Sequence, residues 1–381
     1  MSSKTDLSVT DPLEGGPYFN DLTPPFNFRY DDALNTEAYK FHVPKRDFVG
    51  YGDKPPKDCW PNGAKIAVSF ILNYEDRGAE HTIWNGDKRS VEFLYEDHFH
   101  RNIPLVGKRD LPVESQFEYG IRAGLPRILK LFKKYDYKFT GWFCARALEV
   151  HGDYGKLIVE HGHEASRLRL WRGYDTHTVR VQYVLTSWQI ACHGNRWRGT
   201  MDLAGPDAEA ADIRKSFDRL QAATGRTDVP TAYFTGSGSA MHNHVRARVH
   251  KERGVPLLYC SDAYADDLPY YVTSPLALDG DKDEGLLMIP YSLTNNDHRF
   301  MVAGGNGVAC PDDWFELIKN EFDYMYEEGK AGRPAMMFMD YIKTKPDVWV
   351  CTRAEMAAWW REKYPYDKVG PTSEWTSKDF E

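Results

Sequence analysis

An apolar run that ends on two carboxylates constrains the fold of this chain more than any other feature. Residues 66–76 read Ile-Ala-Val-Ser-Phe-Ile-Leu-Asn-Tyr-Glu-Asp, and most of their side chains are β-branched or aromatic. Such a run predicts a strand buried on both faces, which is typical of a parallel sheet covered by helices. Ligands collect at the carboxyl ends of parallel strands. Glu75 and Asp76 therefore stand where a general base or a metal ligand is expected, although a solvated junction would look the same.

Short apolar runs alternate with amphipathic stretches along the rest of the chain. The apolar runs predict further strands at 137–144, 231–235, 286–291 and 348–351. The amphipathic stretches predict helices at 117–132, 208–220, 312–328 and 353–363. Ser115 and Glu118 fit a capping box that would begin the first of these helices. Alternation at these lengths implies βα units and a parallel sheet, either an incomplete barrel or a doubly wound layer.

Composition and charge bound the class of protein. The 381 residues are 42% apolar and 27% charged, which is ordinary for a globular chain with one large core. The net charge of -8 and the lack of a Lys/Arg stripe argue against a nucleic-acid partner. We expect a small-molecule substrate instead. A homo-oligomer is the general expectation for a soluble enzyme, and the residues support nothing more specific.

The same composition indicates a cytoplasmic protein. No run approaches the roughly 20 apolar residues that a membrane span needs. The amino terminus is polar and carries no apolar segment of the kind found in secretion signals. The six cysteines are scattered and form no Cys-x-x-Cys pair, so we expect buried reduced thiols and neither disulfides nor a zinc knuckle.

The chain divides by composition into an arm, a body and a tail. Residues 1–62 are rich in Pro, Tyr, Phe, Asp and Asn without a period, which predicts an arm packed on the body. Residues 63–365 contain the alternating elements and are expected to form a single domain. Residues 366–381 are interpreted as a carboxyl-terminal tail.

Three later strands also end on polar residues. The polar stretches are 192–197, 261–270 and 291–299. His193, which lies in the first of them, can act as a metal ligand, as an acid or base, or as a core residue with internally bonded nitrogens. If the strands are parallel, all four polar tips should gather around one cavity.

Several short blocks, taken in order, resemble a known family. They are 60–64 with 73–76, 114–115 with 119–120 and 122–124, 162–164 with 190–194, 261–264, 266–270, and 295–297 with 299–300. Together they span most of 60–364 and resemble the polysaccharide deacetylase-like (NodB-homology) family, most closely its branch of allantoinases, which act on ureide rings. The resemblance implies an irregular (β/α) barrel of the NodB type. It also implies hydrolysis of a carbon–nitrogen bond other than a peptide bond.

The resemblance assigns roles to the residues at the first two tips. Glu75 and Asp76 fall where the sugar deacetylases keep a base and a metal-binding Asp, and His193 falls on the first His of their His-x-x-x-His motif. Trp197 occupies the place of the second His, and an indole cannot ligate a divalent ion. We therefore expect no metal cofactor. Zinc or another divalent ion, bound through Asp76 and His193, belongs only to a deacetylase alternative.

Ring opening without a metal needs a base, a group that stabilises the oxyanion and an acid for the departing nitrogen. Glu75 is the predicted base, and His193 or Arg196 is predicted to stabilise the oxyanion. Asp76, the next residue after Glu75, would raise the pKa of this base by like-charge repulsion if both were buried. A further set of polar and aromatic residues is predicted to bind substrate, because a cyclic ureide is a flat string of amides. These residues are Glu114, Arg196, Trp197, Asp262, Tyr264, Asn295, Asn296 and Asp297. A simple turn at Asn295 and Asn296 explains those two equally well.

Two departures from the family pattern bear on activity. Residues 165–189 are an insertion between two blocks that adjoin in the family, and the late segment with a catalytic His is missing near 337–338. The resemblance leads us to expect a metal-independent hydrolase of cyclic ureides, with conversion of allantoin to allantoate, a step of purine catabolism, as the leading candidate. The alternatives are a metal-dependent N-deacetylase of chitin-type polysaccharides and a catalytically impaired member of the family.

Overall fold

A computed structural model gives the fold of the protein. It describes residues 50–51, 55–75, 87, 105–151, 153, 189–197, 199–200, 203, 205–236, 238–239, 241–292, 295–297, 310–328 and 338–371. Asp76, most of the insertion at 165–189 and position 337 lie outside these residues.

Parallel strands form the centre of the molecule. They are β1 (Ile66–Val68), β2 (Phe70–Tyr74), β3 (Phe139–Phe143), β4 (Gln189–Cys192), β5 (Ala232–Tyr233), β6 (Tyr259–Cys260), β7 (Tyr270–Val272), β8 (Leu286–Met288) and β9 (Val348–Val350). One sheet has the order β2-β3-β4-β5-β6-β8-β7, and β1 pairs separately with β9. All of these pairs are parallel except that of β7 with β8. The predicted irregular (β/α) barrel is confirmed.

The apolar run at 66–76 forms two short strands instead of the single strand predicted from its sequence. The break falls at Ser69, between β1 and β2. β1 pairs with β9, whereas β2 pairs with β3 on the other side. The backbone N–H of Cys351 then donates to the carbonyl of Val68 at 3.0 Å. Because of this break, the first part of the apolar run pairs with β9 and the second part pairs with β3.

Helices cover the outer face of the sheet and one end of the barrel. They are α1 (Leu111–Tyr119), which continues through a π turn at Gly120–Gly124 into α2 (Leu125–Tyr135), then α3 (Ala145–Val150), α4 (Pro206–Thr224), α5 (His242–Arg253), α6 (Pro311–Glu328), α7 (Met339–Ile342), α8 (Arg353–Lys363) and α9 (Tyr366–Val369). Single 3₁₀ turns occupy Pro61–Gly63 and Pro275–Asp279. No helix among the described residues is both long and apolar enough to cross a bilayer.

The first helix begins earlier than the capping box at Ser115 predicts. The carbonyl of Asp110 already accepts from the N–H of Glu114 at 2.9 Å. Pro112 lies in the first turn, where a missing N–H costs nothing. The Ser115 hydroxyl donates back to the carbonyl of Pro112 at 2.6 Å, so it lies inside the helix and does not cap it. A true capping box, formed by Thr352 and Glu355, begins α8.

Side chains that alternate along the strands fill two separate cores. One set, which includes Phe70 and Phe139, faces the covering helices. The other set faces the barrel interior, where Trp142 from β3 packs against Phe234 and Tyr259 with ring centroids 5.6 Å and 6.1 Å apart. Trp360 of α8 belongs to this inner core. The interior is therefore a packed core and not a channel, as expected for a small barrel.

His250 of α5 is a buried core histidine. Its ring meets Phe217 and Tyr233 edge-on, with centroids 4.9 Å and 5.4 Å apart, and its Nδ1 donates to the carbonyl of Val255 at 3.0 Å. Its Nε2 is buried without a partner among the described residues. Burial lowers the pKa of His250 from 6.5 to about 4. The neutral ring is thus the form that the folded protein holds.

We predict that His250 lowers the free energy of unfolding as the pH drops below 6.5. In the unfolded chain His250 takes up a proton near pH 6.5, whereas in the folded protein it does so only near pH 4. The contribution of His250 to the free energy of unfolding is therefore fully present above pH 6.5 and is lost as the pH falls from 6.5 to 4. Each such proton changes the free energy of unfolding by about 1.4 kcal/mol per pH unit.

The test is urea denaturation at pH 7, 6 and 5 for the wild type and for His250→Asn. The Asn side chain keeps a donor for Val255 but does not titrate. The variant should be less stable at every pH, and its stability should fall less steeply toward pH 5. Equal slopes in the two proteins would contradict the prediction.

Candidate active site

The carboxyl ends of β2, β4, β6 and β8 lie on the same edge of the sheet because these strands are parallel. Residues from the first two tips are in direct contact there. Glu75 follows β2, His193 follows β4, and the Oε1 atom of Glu75 lies 2.8 Å from Nε2 of His193. The structure thus brings together two of the residues that the sequence predicts to be catalytic.

The hydrogen bonds of His193 restrict where its protons can be. Nδ1 lies against the carbonyl oxygen of Phe234, which can only accept, so Nδ1 carries a proton. Nε2 and Glu75 then share one further proton, either as imidazole with a carboxylic acid or as imidazolium with a carboxylate. His193 is 0% exposed, whereas the side chain of Glu75 is 33% exposed. Of this pair, only Glu75 has side-chain surface that a ligand could reach.

Aromatic rings form a continuous stack beside this pair. Phe234 lies parallel to the His193 ring with centroids 5.3 Å apart, and Tyr291 stacks on Phe234 at 4.2 Å. Tyr264, an exposed residue of the β6 tip, meets Tyr291 edge-on at 6.3 Å. The stack leads from solvent to the buried imidazole, and of its three aromatic residues only Tyr264 is exposed.

Arg196 and Trp197 follow His193 in the loop after β4. The guanidinium of Arg196 forms a two-pronged ion pair with the carboxylate of Asp87, and both side chains are mostly buried. Burial and the charge of Glu75 raise the pKa of the Cys144 thiol, whereas the charge of Arg196 lowers it. The charged groups of Glu75 and Arg196 therefore both lie near this thiol. Trp197 is exposed.

Asp262, at the β6 tip, is committed to contacts inside the protein. Its Oδ1 accepts from the backbone N–H groups of Thr235 and Gly236 at 2.8 Å and 2.7 Å, and its Oδ2 pairs with Arg246 of α5. Burial alone would raise the pKa of Asp262, but the charges of Arg246 and His242 and the hydrogen bonds from Gly236 and Arg246 together outweigh it, and the pKa lies below its usual value. The carboxylate fixes the loop after β5, and a role in binding substrate stays a prediction.

The other predicted binding residues are spread around the same edge or lie in separate ion pairs. Asn296 donates from Nδ2 to the hydroxyl of Tyr291 at 2.9 Å, and the charge of Asp297 acts on that hydroxyl. Asn295, which precedes Asn296, is also among the described residues. Glu114 is buried and pairs with Arg109, with 3.0 Å between Nε and Oε1. No described contact joins Glu114 to Glu75 or His193.

Comparison with known proteins places this barrel in a family. A protein of Schizosaccharomyces pombe named "Putative polysaccharide deacetylase" is 33% identical over 344 residues, which are 84% of this chain and 98% of that protein. The chain belongs to the polysaccharide deacetylase-like family. No protein-family model matches the chain, so membership rests on this relative and on the solved structures that resemble it.

Two solved structures of similar sequence share the fold. The structure described as Puue Allantoinase is 32% identical with a TM-score of 0.68, and the comparison covers 85% of this chain and 99% of that one. The structure of a probable polysaccharide deacetylase from Pseudomonas aeruginosa PAO1 is 30% identical with a TM-score of 0.66. This comparison covers 84% of this chain and 99% of that one. Both resemble this chain over nearly their whole length. The relatives therefore support a hydrolase of the polysaccharide deacetylase type.

Asp76, which the resemblance places at a metal-binding position, lies outside the described residues. Three or more His, Cys, Asp or Glu side chains come together at no point of the described chain. His193 has both nitrogens engaged, by Phe234 and Glu75, and the indole of Trp197 is no ligand. His244 of α5 is engaged elsewhere, because its Nε2 lies 3.0 Å from Oδ2 of Asp279. His161 and His163 lie outside the described residues.

Arg353 connects three strand ends at this edge of the sheet, and sequence reasoning missed it. It directly follows the β9 tip, is buried, and donates to the Ser261 hydroxyl at 2.8 Å and to the carbonyls of Ile289 and Pro290 at 2.8 Å and 2.9 Å. One side chain thus joins the tips of β6, β8 and β9, where β8 and β9 share no ladder. In the sequence it is only the first residue of an amphipathic helix. No signal in the sequence could have found it, because its burial depends on the fold.

We predict that Arg353→Met lowers the free energy of unfolding by about 3 kcal/mol or more. Three buried acceptors lose their donor, and each unsatisfied group costs about 1–3 kcal/mol. Arg226→Met is the matched control, because Arg226 pairs locally with Asp228 at a partly exposed site and its loss should cost about 0.5 kcal/mol or less. Urea denaturation of both variants measures the difference, and equal midpoints would show that Arg353 does not close the barrel.

Proposed function

We propose that this protein is a metal-independent hydrolase that opens the ring of a cyclic ureide or a related cyclic amide, with allantoin as the leading candidate. The observation that carries the proposal is the contact at 2.8 Å between Glu75, which is partly exposed, and His193, which is fully buried. The pair offers a partly exposed carboxylate that is held in place by a buried imidazole. Similarity to the structure described as Puue Allantoinase supports the choice of substrate class.

Glu75 serves as the base and then as the acid of this reaction. It takes a proton from a water molecule while the water oxygen attacks the ring carbonyl, whose π electrons move onto the carbonyl oxygen. When the carbonyl re-forms, the carbon–nitrogen bond breaks and the nitrogen takes the proton from Glu75. The new carboxylic acid loses its proton to solvent. His193 keeps the Glu75 carboxylate in place throughout, because its hydrogen bond to Oε1 leaves Oε2 for the water.

The surroundings of Glu75 suit a flat, amide-rich ring. Phe234, Tyr291 and Tyr264 present ring faces and edges beside it. Asn296 lies next to Tyr291, and an amide side chain can both donate to and accept from a ureide. The exposed indole of Trp197 lies in the loop after β4 and offers a second flat surface.

A metal-dependent N-deacetylase of chitin-type polysaccharides is the second candidate, because two relatives carry the polysaccharide deacetylase name. Asp76 and His193 would hold the ion. A third possibility is an impaired enzyme that lacks the late catalytic His. Assays of allantoin opening and of acetate release from chito-oligomers, each with and without chelator, separate the three. Allantoin opening that resists chelator supports the first candidate, metal-dependent acetate release the second, and no turnover the third.

We predict that Glu75→Gln lowers kcat for ring opening by about 10²–10⁴-fold, because the amide has the size of the carboxylate but cannot take a proton. KM should stay within about threefold. Glu252→Gln is the matched control, since Glu252 pairs with Arg214 on the exposed side of α5 and should leave kcat unchanged. Steady-state kinetics of the purified variants measure both constants. If Glu75→Gln keeps kcat within a few-fold of the wild type, another group is the base.

A further inference from the structure

Tyr291 is held firmly at the edge of the site, just after β8. Its backbone N–H donates to the carbonyl of Ala263 at 2.7 Å. Its ring stacks on Phe234, which covers the His193 ring. Only 7% of Tyr291 is exposed. The phenol therefore belongs to the same stack as the histidine that holds Glu75, although no sequence pattern singles it out.

The hydroxyl of Tyr291 accepts one hydrogen bond and keeps its own proton for another partner. Asn296 Nδ2 donates to it at 2.9 Å. In the part of the chain that the structure describes, this is the only hydrogen bond of the phenol. A tyrosine hydroxyl has one O–H donor in addition to its acceptor lone pairs. With Asn296 as the donor, the O–H of Tyr291 has no acceptor among the described residues.

Burial keeps the phenol of Tyr291 protonated. Burial raises the pKa of Tyr291, while Arg353 and the hydrogen bond from Asn296 oppose this effect. Asp297 and Glu75 raise the pKa further, and the net shift is upward. The guanidinium of Arg353 lies 5.8 Å from the centre of the Tyr291 ring. Tyr291 is therefore a hydrogen-bond donor at neutral pH and not a base, and it lies within the electrostatic reach of Glu75.

We infer that Tyr291 is a catalytic residue whose hydroxyl donates a hydrogen bond to the substrate oxygen that becomes negatively charged when water attacks the carbonyl. The inference rests on the proposed role of Glu75 as the base. The O–H bond of Tyr291 does not break, because the proton of the water goes to Glu75 and returns to the leaving nitrogen. A fixed donor of this kind is typically worth about 10²–10³-fold in kcat.

Other donors near the site fit this role less well. His193 is fully buried with both nitrogens bonded inside the protein. Arg196 directs its guanidinium at Asp87. Tyr264 is exposed, so water competes for its hydroxyl. Tyr291 alone of these combines a buried ring, a fixed backbone and an O–H that no described group accepts.

The first experiment measures kcat and KM for ring opening in Tyr291→Phe. The loss of the hydroxyl should lower kcat by about 10²–10³-fold with KM within about threefold, since the bond forms only as charge develops. Tyr135→Phe is the matched control. Tyr135 is also 7% exposed and also accepts a hydrogen bond, from Lys134, but it ends α2 at the opposite edge of the sheet. A kcat of Tyr291→Phe within threefold of the control would overturn the inference.

A second variant tests the direction of the hydrogen bond. In Asn296→Asp, a carboxylate replaces the amide donor and accepts the phenol proton, so the proton is withdrawn from the substrate. We expect kcat to fall by at least tenfold. If the amide oxygen of Asn296 already accepts that proton in the wild type, Asp preserves the arrangement. An unchanged kcat in Asn296→Asp would therefore count against Tyr291 as the oxyanion donor.

Binding of a stable anion separates this inference from the proposed function. Ureidomethylboronic acid adds hydroxide and becomes a tetrahedral anion, and calorimetry at neutral pH measures its affinity for each protein. We expect Tyr291→Phe to bind it at least tenfold more weakly than the wild type and Tyr135→Phe to bind it equally well. If the wild type opens no ring but shows this pattern, the proposed function fails and the Tyr291 donor stands. Equal or absent binding in all three proteins would reject the donor.

Discussion

Parallel pairing of strands that are buried on both faces determines where chemistry can occur in this protein. Because β2, β4, β6 and β8 run in one direction, their polar tips meet at one edge of the barrel. Apolar side chains fill the space between the strands and the helices as well as the barrel interior. Buried polar groups in such a core must bond to one another. Arg353, Asp262 and His193 are the clearest cases, and each joins the tip of one strand to that of another.

Much of the fold could be predicted from apolar periodicity. The helix α8 has the predicted bounds, and the strands over 137–144, 231–235, 286–291 and 348–351 all occur, although they are shorter. Several elements were not predicted, among them α5 and β7. The sequence of α5 is strongly polar and shows no apolar stripe, because Arg246 and His250 are buried beside Val245 and Val249 and form hydrogen bonds there. Periodicity cannot detect a helix that is buried in this way.

The candidate site was predictable only where it followed a strand end. Glu75 and His193 stand directly after apolar runs, and they proved to be in contact. Tyr291 still belongs to an apolar run, and Arg353 begins a helix, so neither stands out from its neighbours. Their importance depends on contacts across long stretches of chain, such as that of Arg353 with Ser261. Such contacts follow from the register of the barrel, which the sequence does not show.

The burial of His193 also has a consequence for proton exchange. Its imidazole is covered by Phe234 on one face and held by a carbonyl at Nδ1, and among the described residues the Glu75 side chain covers its Nε2. The histidine thus exchanges its hydrogen with solvent no faster than Glu75 allows. A ligand seated over that carboxylate would trap the imidazole hydrogen inside the protein for as long as the ligand stays bound.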